Sequence, residues 1–354
     1  MAATIFDENI VCPVTGEVLK VADGDLIAAN AGRRYAFKDE IPLLFVEEAG
    51  TQATAADSAD RVTQAVQGFY EDAPFPNYNS FDKLATFVER ANQGVFARLL
   101  REQIPMNANV LEVGCGTGQL SNFLAATTVS RVYATDMTLP SLQLGRGFAD
   151  RNGIHGVRFV QMNLFAPAIR PESMDIVITN GVLHHTHDTR KAFERVSRLV
   201  KPGGCIVVGL YNHIGRLRTD FRRVLVKVFG ERVLFLDPHL RSEMSPEKRR
   251  AWIRDQYHHP QERKHSISEV IEWFDAAGFS FVSSIPKIVG TFAGNERLFE
   301  SRSRGTSFDR YAAEIGMLFS HFGGEGGLFI CIGRRNHGTT AASGATRPVS
   351  SDHR

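Results

Sequence analysis

Glu112-Val113-Gly114-Cys115-Gly116-Thr117-Gly118 follows the short apolar pair Val110-Leu111 and runs into Gln119-Leu120-Ser121-Asn122-Phe123-Leu124. The order reads as strand, glycine-rich turn and helix start. Such a turn presents backbone N–H groups at a helix N-terminus, where negative charge is favoured. Its glycines permit unusual backbone angles and close approach of a ligand. A nucleotide-like ligand is therefore the first expectation. A dinucleotide site would prefer glycine at the sixth position of G-x-G-x-x-G, and this turn lacks it.

Working outward, Val132-Tyr133-Ala134-Thr135 reads as a second strand ending in Asp136, a carboxylate placed to accept ribose hydroxyls. Val157-Arg158-Phe159-Val160-Gln161 leads to Asn163. Met174-Asp175-Ile176-Val177-Ile178-Thr179-Asn180 reads as a buried strand, followed by Gly181-Val182-Leu183-His184-His185. In Leu199-Val200-Lys201-Pro202-Gly203-Gly204-Cys205-Ile206-Val207-Val208, Pro and Gly stop a helix and the apolar run is a central strand.

This series resembles the class I S-adenosylmethionine (SAM) methyltransferases, in the broad group that includes ubiquinone- and menaquinone-type and other small-molecule enzymes. The resemblance spans about residues 105–210, with Phe279–Ile285 and Leu328–Arg334 fitting more loosely as further strands. It implies an α/β fold with a Rossmann-like, doubly wound, seven-stranded, mostly parallel sheet. It implies SAM as cofactor, with Gly114, Cys115, Gly116 and Gly118 facing the methionine part, Asp136 the ribose and Met137 the adenine. Asn163 stands where relatives accept from the adenine amino group, Asn180 lines the methyl-transfer region, and Glu112 and Leu164 complete the cofactor set. Asn180-Gly181-Val182-Leu183 departs from the N/D-P-P-Y/F pattern of enzymes that methylate amino nitrogens, whereas Leu-His-His resembles small-molecule and lipid-quinone methyltransferases. His184 or His185 is a candidate base, since imidazole titrates near neutrality; the alternative is that they buttress the SAM loop.

The 354 residues, 43% hydrophobic, suffice for one sizeable core plus an appendage. A net charge of +2 makes no global demand for nucleic acid. Cys12, Cys115, Cys205 and Cys331 are scattered and read as buried free thiols of a cytoplasmic protein. Neither a membrane span nor a signal peptide is read in the chain.

Residues 1–46 read as a small β module built on Cys12-Pro13-Val14-Thr15-Gly16 and a hairpin from Asp25 to Phe37. The module resembles the Trm112-like zinc ribbons that precede some methyltransferases. The four ligand positions fall on Cys12, Thr15, Ala28 and Ala31, so one thiolate survives where zinc needs about four, and no metal is expected. The module is expected to persist as a packing element or as a docking surface for a protein partner or a second copy. Residues 47–60 read as a linker, 61–335 as the methyltransferase domain and 336–354 as a disordered tail.

Phe69-Tyr70-Glu71-Asp72-Ala73-Pro74-Phe75-Pro76-Asn77-Tyr78 is a stiff aromatic stretch, either a clamp on the core or a lid bringing Tyr70 and Phe75 to the substrate. Ala85–Leu100 reads as one helix. Residues 211–264 interrupt the core after a strand and are the candidate substrate-determining cap. Their stretch 213–264 carries 13 Lys and Arg against 7 Asp and Glu. Leu217, Phe221, Leu225 and Val228 recur at helical spacing with arginines between them, which reads as a packed helix with a solvated basic face, or as one lying on a membrane or acidic partner. Tyr257 and His259 end this cap and are substrate candidates, as is Arg297 for an acidic group. Ser266-Ile267-Ser268-Glu269 is a capping box opening a helix that Gly278 ends. The favoured activity is methyl transfer to oxygen or carbon of a small or lipid-like metabolite. The alternatives are an RNA methyltransferase and a non-catalytic SAM-binding partner.

Overall fold

The computed structural model describes residues 4–47, 53–72, 74, 78, 83–237, 240, 246–259, 261–319 and 326–337. The chain opens with short strands β1 (Thr4–Ile5), β2 (Lys20–Ala22), β3 (Asp25–Ala28), β4 (Arg33–Tyr35), β5 (Phe37–Lys38) and β6 (Ile41–Pro42). The first four form an antiparallel sheet in sequential order, with Leu26 opposite Tyr35 in the expected hairpin. Helices α1 (Ala53–Asp72), α2 (Leu84–Gln93) and α3 (Val95–Gln103) lead to β7 (Asn109–Val113). Then follow α4 (Gln119–Thr127), β8 (Arg131–Asp136), α5 (Leu139–Arg151), β9 (Val157–Gln161), β10 (Met174–Asn180), α6 (Thr189–Ser197) and β11 (Val200–Tyr211). The insertion supplies α7 (Leu217–Phe229) and α8 (Pro246–His258), and the chain closes with α9 (Ile267–Ala276), β12 (Phe279–Ile285), α10 (Ser307–Gly316) and β13 (Leu328–Arg335).

The main sheet has seven strands in the order β12-β13-β11-β10-β7-β8-β9. Its neighbours β11-β10-β7-β8-β9 are parallel and β13 runs antiparallel to both flanking strands. Strands covered on both faces read as continuous apolar runs, as β7 and β10 do. Winding reverses between β7 and β10, and ligands in such sheets bind at the carboxyl ends of the strands beside that reversal. Val113, Asp136, Gln161, Asn180 and Tyr211 end five of these strands on that side.

The N-terminal strands are not a detached appendage. Ile10, Cys12, Leu19, Leu26, Ala28 and Leu44 are buried in the same cluster as Leu111, Val113 and Tyr133 of the main sheet. Leu43 bridges Gln161 on the outer edge of β9, with the Leu44 N–H donating to the Gln161 carbonyl at 2.9 Å. Among the described residues, no group of three or more His, Cys, Asp or Glu is placed to hold a metal. The Cys12 Sγ lies 3.1 Å from the Tyr35 hydroxyl.

Two sequence expectations need correction. Residues 53–60 belong to α1 rather than to a linker: Ala53-Thr-Ala-Ala is alanine-rich, and alanine has the strongest helix preference. The single helix expected over 85–100 is two helices, because Gly94 adopts an extended conformation between α2 and α3. The capping box at Ser266 and Glu269 forms as expected, and all four cysteines are free and buried. The expected tail lies outside the described residues except for 336 and 337.

Candidate active site

At the end of β7 the chain turns through Gly114, Gly116 and Gly118, all with positive φ (69°, 54° and 70°). A Cβ at Gly114 would stand 2.5 Å from a Val182 methyl carbon across the reversal point, and one at Gly118 would stand 2.7 Å from the Phe159 ring. Both positions therefore require glycine for conformation and for space. The turn is fixed by Asp136, whose Oδ2 accepts from the Gly116 N–H at 2.8 Å. Its Oδ1 accepts from the Thr138 N–H (2.9 Å) and hydroxyl (2.7 Å). The carboxylate lies on the cavity wall, and Oδ2 keeps a lone pair beyond the Gly116 bond. Burial raises the Asp136 pKa against the opposing hydrogen bonds from Thr138 and Gly116.

Glu112, one strand over, receives the Ser121 hydroxyl at 2.5 Å. Burial pushes its carboxyl up to about 7, the Ser121 bond opposes this, and the nearby Asp136 adds to it. Asn180 ends β10 with its side chain lying over Gly209, where a Cβ would be 1.9 Å from Oδ1. That buried Oδ1 has no hydrogen-bond partner within the protein. Together these groups wall a cavity of about 520 Å³, a size typical of small-molecule sites.

Residues 111–208 match the Methyltransf_11 family, a methyltransferase domain. Residues 111–208 thus form a class I, SAM-dependent methyltransferase domain.

The chain is 24% identical over 250 residues to an uncharacterised protein of Synechococcus sp., covering 63% of this chain and 60% of that one. It is 34% identical over 108 residues to a ubiquinone biosynthesis O-methyltransferase of Klebsiella pneumoniae, covering 30% of this chain and 44% of the relative. The crystal structure of YcgJ from Bacillus subtilis aligns with 70% of this chain and all of its own, at 17% identity and a TM-score of 0.42. The chain thus spans less than two thirds of the length of either curated relative.

In the methyltransferase domain, the predicted cofactor residues Glu112, Gly114, Cys115, Gly116, Asp136, Met137, Asn163, Leu164 and Asn180 all line the cavity; Gly118 shapes the turn from behind it. Burial holds the Cys115 thiol well above its usual pKa, so it stays protonated. Asn163 is fixed on the wall by two bonds of 3.0 Å: its Oδ1 accepts from the Phe165 N–H and its Nδ2 donates to the Val46 carbonyl, which ties the segment after β6 to the cavity.

The two histidines separate. His184 is fully buried, packs its ring 4.3 Å from that of Tyr211 and does not reach the cavity. Both its ring nitrogens lack partners, and burial pushes its pKa well down. It packs as a neutral ring behind the cavity wall. His185 lines the cavity, with Nδ1 2.7 Å from the Gln261 carbonyl. A carbonyl only accepts, so Nδ1 carries the proton and Nε2 keeps the lone pair. Burial lowers the His185 pKa to about 4, although the Gln261 bond and Glu262 pull the other way.

Further walls come from α1, through Val62, Val66 and Tyr70, from α2 and α3, through Phe87, Arg90 and Ala97, and from α8, through Trp252 and Gln256. Tyr70 lines the cavity, and Phe75 lies outside the described residues. Tyr78 is a clamp, stacked on Phe148 at 4.1 Å and donating to the Thr117 carbonyl. Tyr257 is turned away from the cavity: its hydroxyl donates to Asp237 at 2.9 Å inside a small cap core with Val226, Leu234 and Leu240. Trp252 and Gln256, four residues apart on one line of α8, reach the cavity, and Trp252 also shares Asp237 with Tyr257, its indole N–H donating at 3.1 Å. His259 stays off the wall but stacks on His185, with ring centroids 3.6 Å apart, and edges Phe69 at 4.9 Å. Arg297 is exposed and lies outside the cavity.

A buried ion cluster holds the cap in place. Arg216 is fully buried and grips Glu262 with two bonds (3.0 and 2.7 Å), Gln256 with a third, and stacks 3.7 Å over the Tyr211 ring. Arg223 grips the same carboxylate at 3.0 and 2.6 Å. Burial acts to raise the Glu262 pKa, but the two guanidiniums prevail and hold it at about 2. The basic insertion therefore commits three of its arginines internally, Arg216 and Arg223 to Glu262 and Arg222 to Asp237 at 3.7 Å. The expectation of a packed helix with its arginines in solvent is reversed at Arg216 and Arg223.

Proposed function

We propose that the chain methylates an oxygen of a small, partly apolar acceptor, with His185 as the general base. The observation that carries this reading is the bond from His185 Nδ1–H to the Gln261 carbonyl, which presents a neutral imidazole on the cavity wall beside Asn180. The glycine cradle, the open lone pair on Asp136 and the unpartnered Asn180 Oδ1 suit SAM. SAM supplies a methyl group on a sulfonium, ready for displacement. The wall then has three tasks: align the acceptor, exclude water, and take up a proton. With SAM held by the glycine turn and Asp136, the methyl group would pass from sulfur to the acceptor oxygen, His185 would take up the hydroxyl proton, and S-adenosylhomocysteine would leave. A base titrating near 4 matches acidic hydroxyls, phenolic or enolic, better than aliphatic alcohols. Val66, Tyr70, Trp252 and Leu328 provide an apolar wall for such a group. The similarity to a ubiquinone biosynthesis O-methyltransferase supports the same class.

RNA as acceptor loses part of its motive, since Arg216 and Arg223 are committed to Glu262. The test is S-adenosylhomocysteine release on a panel of phenols, enols and RNA, using the wild type and His185→Gln. The expected result is turnover on a phenol or enol, with kcat lower by roughly 10²- to 10⁴-fold in the variant and SAM affinity within about threefold. Turnover on RNA alone, or an unchanged kcat in the variant, would reject the reading.

A further inference from the structure

The outer face of the cap carries what its inner face does not use. Leu217, Phe221, Val224 and Val228 of α7 are each more than half exposed. They recur at steps of four, three and four residues, so they form one line along the helix, about 18 Å long. Thr219 and Val226 lie on the opposite side and are buried. The cap core of Val226, Leu234, Leu240 and Tyr257 is complete without the stripe. Phe229, the last residue of α7, and Phe235 beyond it are exposed too. Exposed Arg218, Lys227 and Arg232 flank this surface. Of the acidic side chains nearby, Asp220 is paired with Lys264 and Arg223, and Glu231 faces His258 at 3.7 Å. At its start α7 meets the segment after α10: Met317 Cε would be 3.1 Å from a Cβ on Gly215. Phe308, Tyr311 and Phe319 in and beyond α10 are likewise more than half exposed.

We propose that the outer face of α7 is a docking surface for an anionic lipid bilayer. An apolar stripe rich in phenylalanine, bordered by cations, inserts its side chains at the acyl boundary and sets its charges among phosphates. The charge pattern selects this occupant. A second copy of the chain would set Arg218, Lys227 and Arg232 against their own equivalents, whereas acidic headgroups complement all three. No described helix is long and apolar enough to cross a membrane, so attachment is peripheral. The cap's inner face provides Trp252 and Gln256 to the cavity, so docking sets the cavity roof beside the lipid surface. The inference stands whichever acceptor is methylated.

The test is co-sedimentation of the full chain with phosphatidylcholine vesicles, with and without phosphatidylserine. The variants are F221S/V228S and R218E/K227E, and SAM titration serves as the folding control. These side chains are exposed, so both variants should bind SAM as the wild type does. The wild type should sediment with anionic vesicles and be released by salt, and each variant should partition roughly tenfold less or weaker still. Three results would overturn the proposal: wild type left in the supernatant, equal sedimentation of F221S/V228S, or wild-type self-association in sedimentation velocity that F221S/V228S abolishes.

Discussion

Two buried glutamates carry opposite charge tendencies. Glu112, in the cofactor wall, is held near 7, and Glu262, in the cap, near 2. Both side chains are largely withdrawn from water, so burial pushes both up; the difference lies in their neighbours. Glu112 meets a neutral serine and another carboxylate. Glu262 is clasped by two guanidiniums. An unmet electrostatic demand marks a place built for a visitor, and a satisfied one marks a place built to stay put. The cap cluster is structural.

The largest expected effect breaks the satisfied side. Glu262→Ala leaves Arg216 and Arg223 buried without their counter-charge and should cost about 3–5 kcal/mol in urea unfolding. A loss under about 1 kcal/mol would show that the cluster is not the cap's anchor. The same carboxylate gives a pH signature. Its folded pKa lies below the ordinary 4.5, so its contribution is whole above about 4.5 and drains away as pH falls toward 2. Acid titration of stability should steepen in that window for the wild type and flatten there for Glu262→Gln.

A smaller effect belongs to the cofactor wall. Gly114→Ala imposes a side chain at φ 69° and a 2.5 Å approach to Val182. It should cost roughly 1–3 kcal/mol of stability, and calorimetry should show SAM affinity falling with it. Unchanged affinity would mean that the turn does not touch the cofactor.

The smallest effect sharpens the contrast itself. With its pKa raised from 4.5 to about 7, Glu112 makes the ligand-free protein less stable as pH climbs through that interval, because the unfolded chain has already released the proton. A cation bound beside it favours the ionised form. SAM binding at pH 7 should therefore release up to about half a proton, read from titrations in buffers of different ionisation heat. Zero release would place the cationic part of SAM away from Glu112.

The cofactor wall was legible because its logic is local. Glycines at 114, 116 and 118 and a carboxylate at 136 serve backbone geometry within one strand–turn–helix unit and its neighbour. The capping box at Ser266 is equally short-ranged. The cap was not legible, because a partner 46 residues away decides which face of α7 turns inward: Glu262 draws Arg216 and Arg223 in and leaves Phe221 out. Apolar periodicity fixed a line on that helix but not its direction. Asn163 shows the same limit, since its amide is claimed by Val46, 117 positions earlier.

The contact of Leu43 and Leu44 with Gln161 has a consequence for solution behaviour. β9 is the terminal strand of the sheet, and its outer rim would otherwise offer unpaired amides and carbonyls to any passing extended chain. The leading segment covers part of that rim. Colloidal solubility of the whole molecule is thus partly invested in residues that touch no cofactor: cut away the first 46, and the glycine turn keeps its sequence while the sheet gains an open margin on which foreign strands can grow.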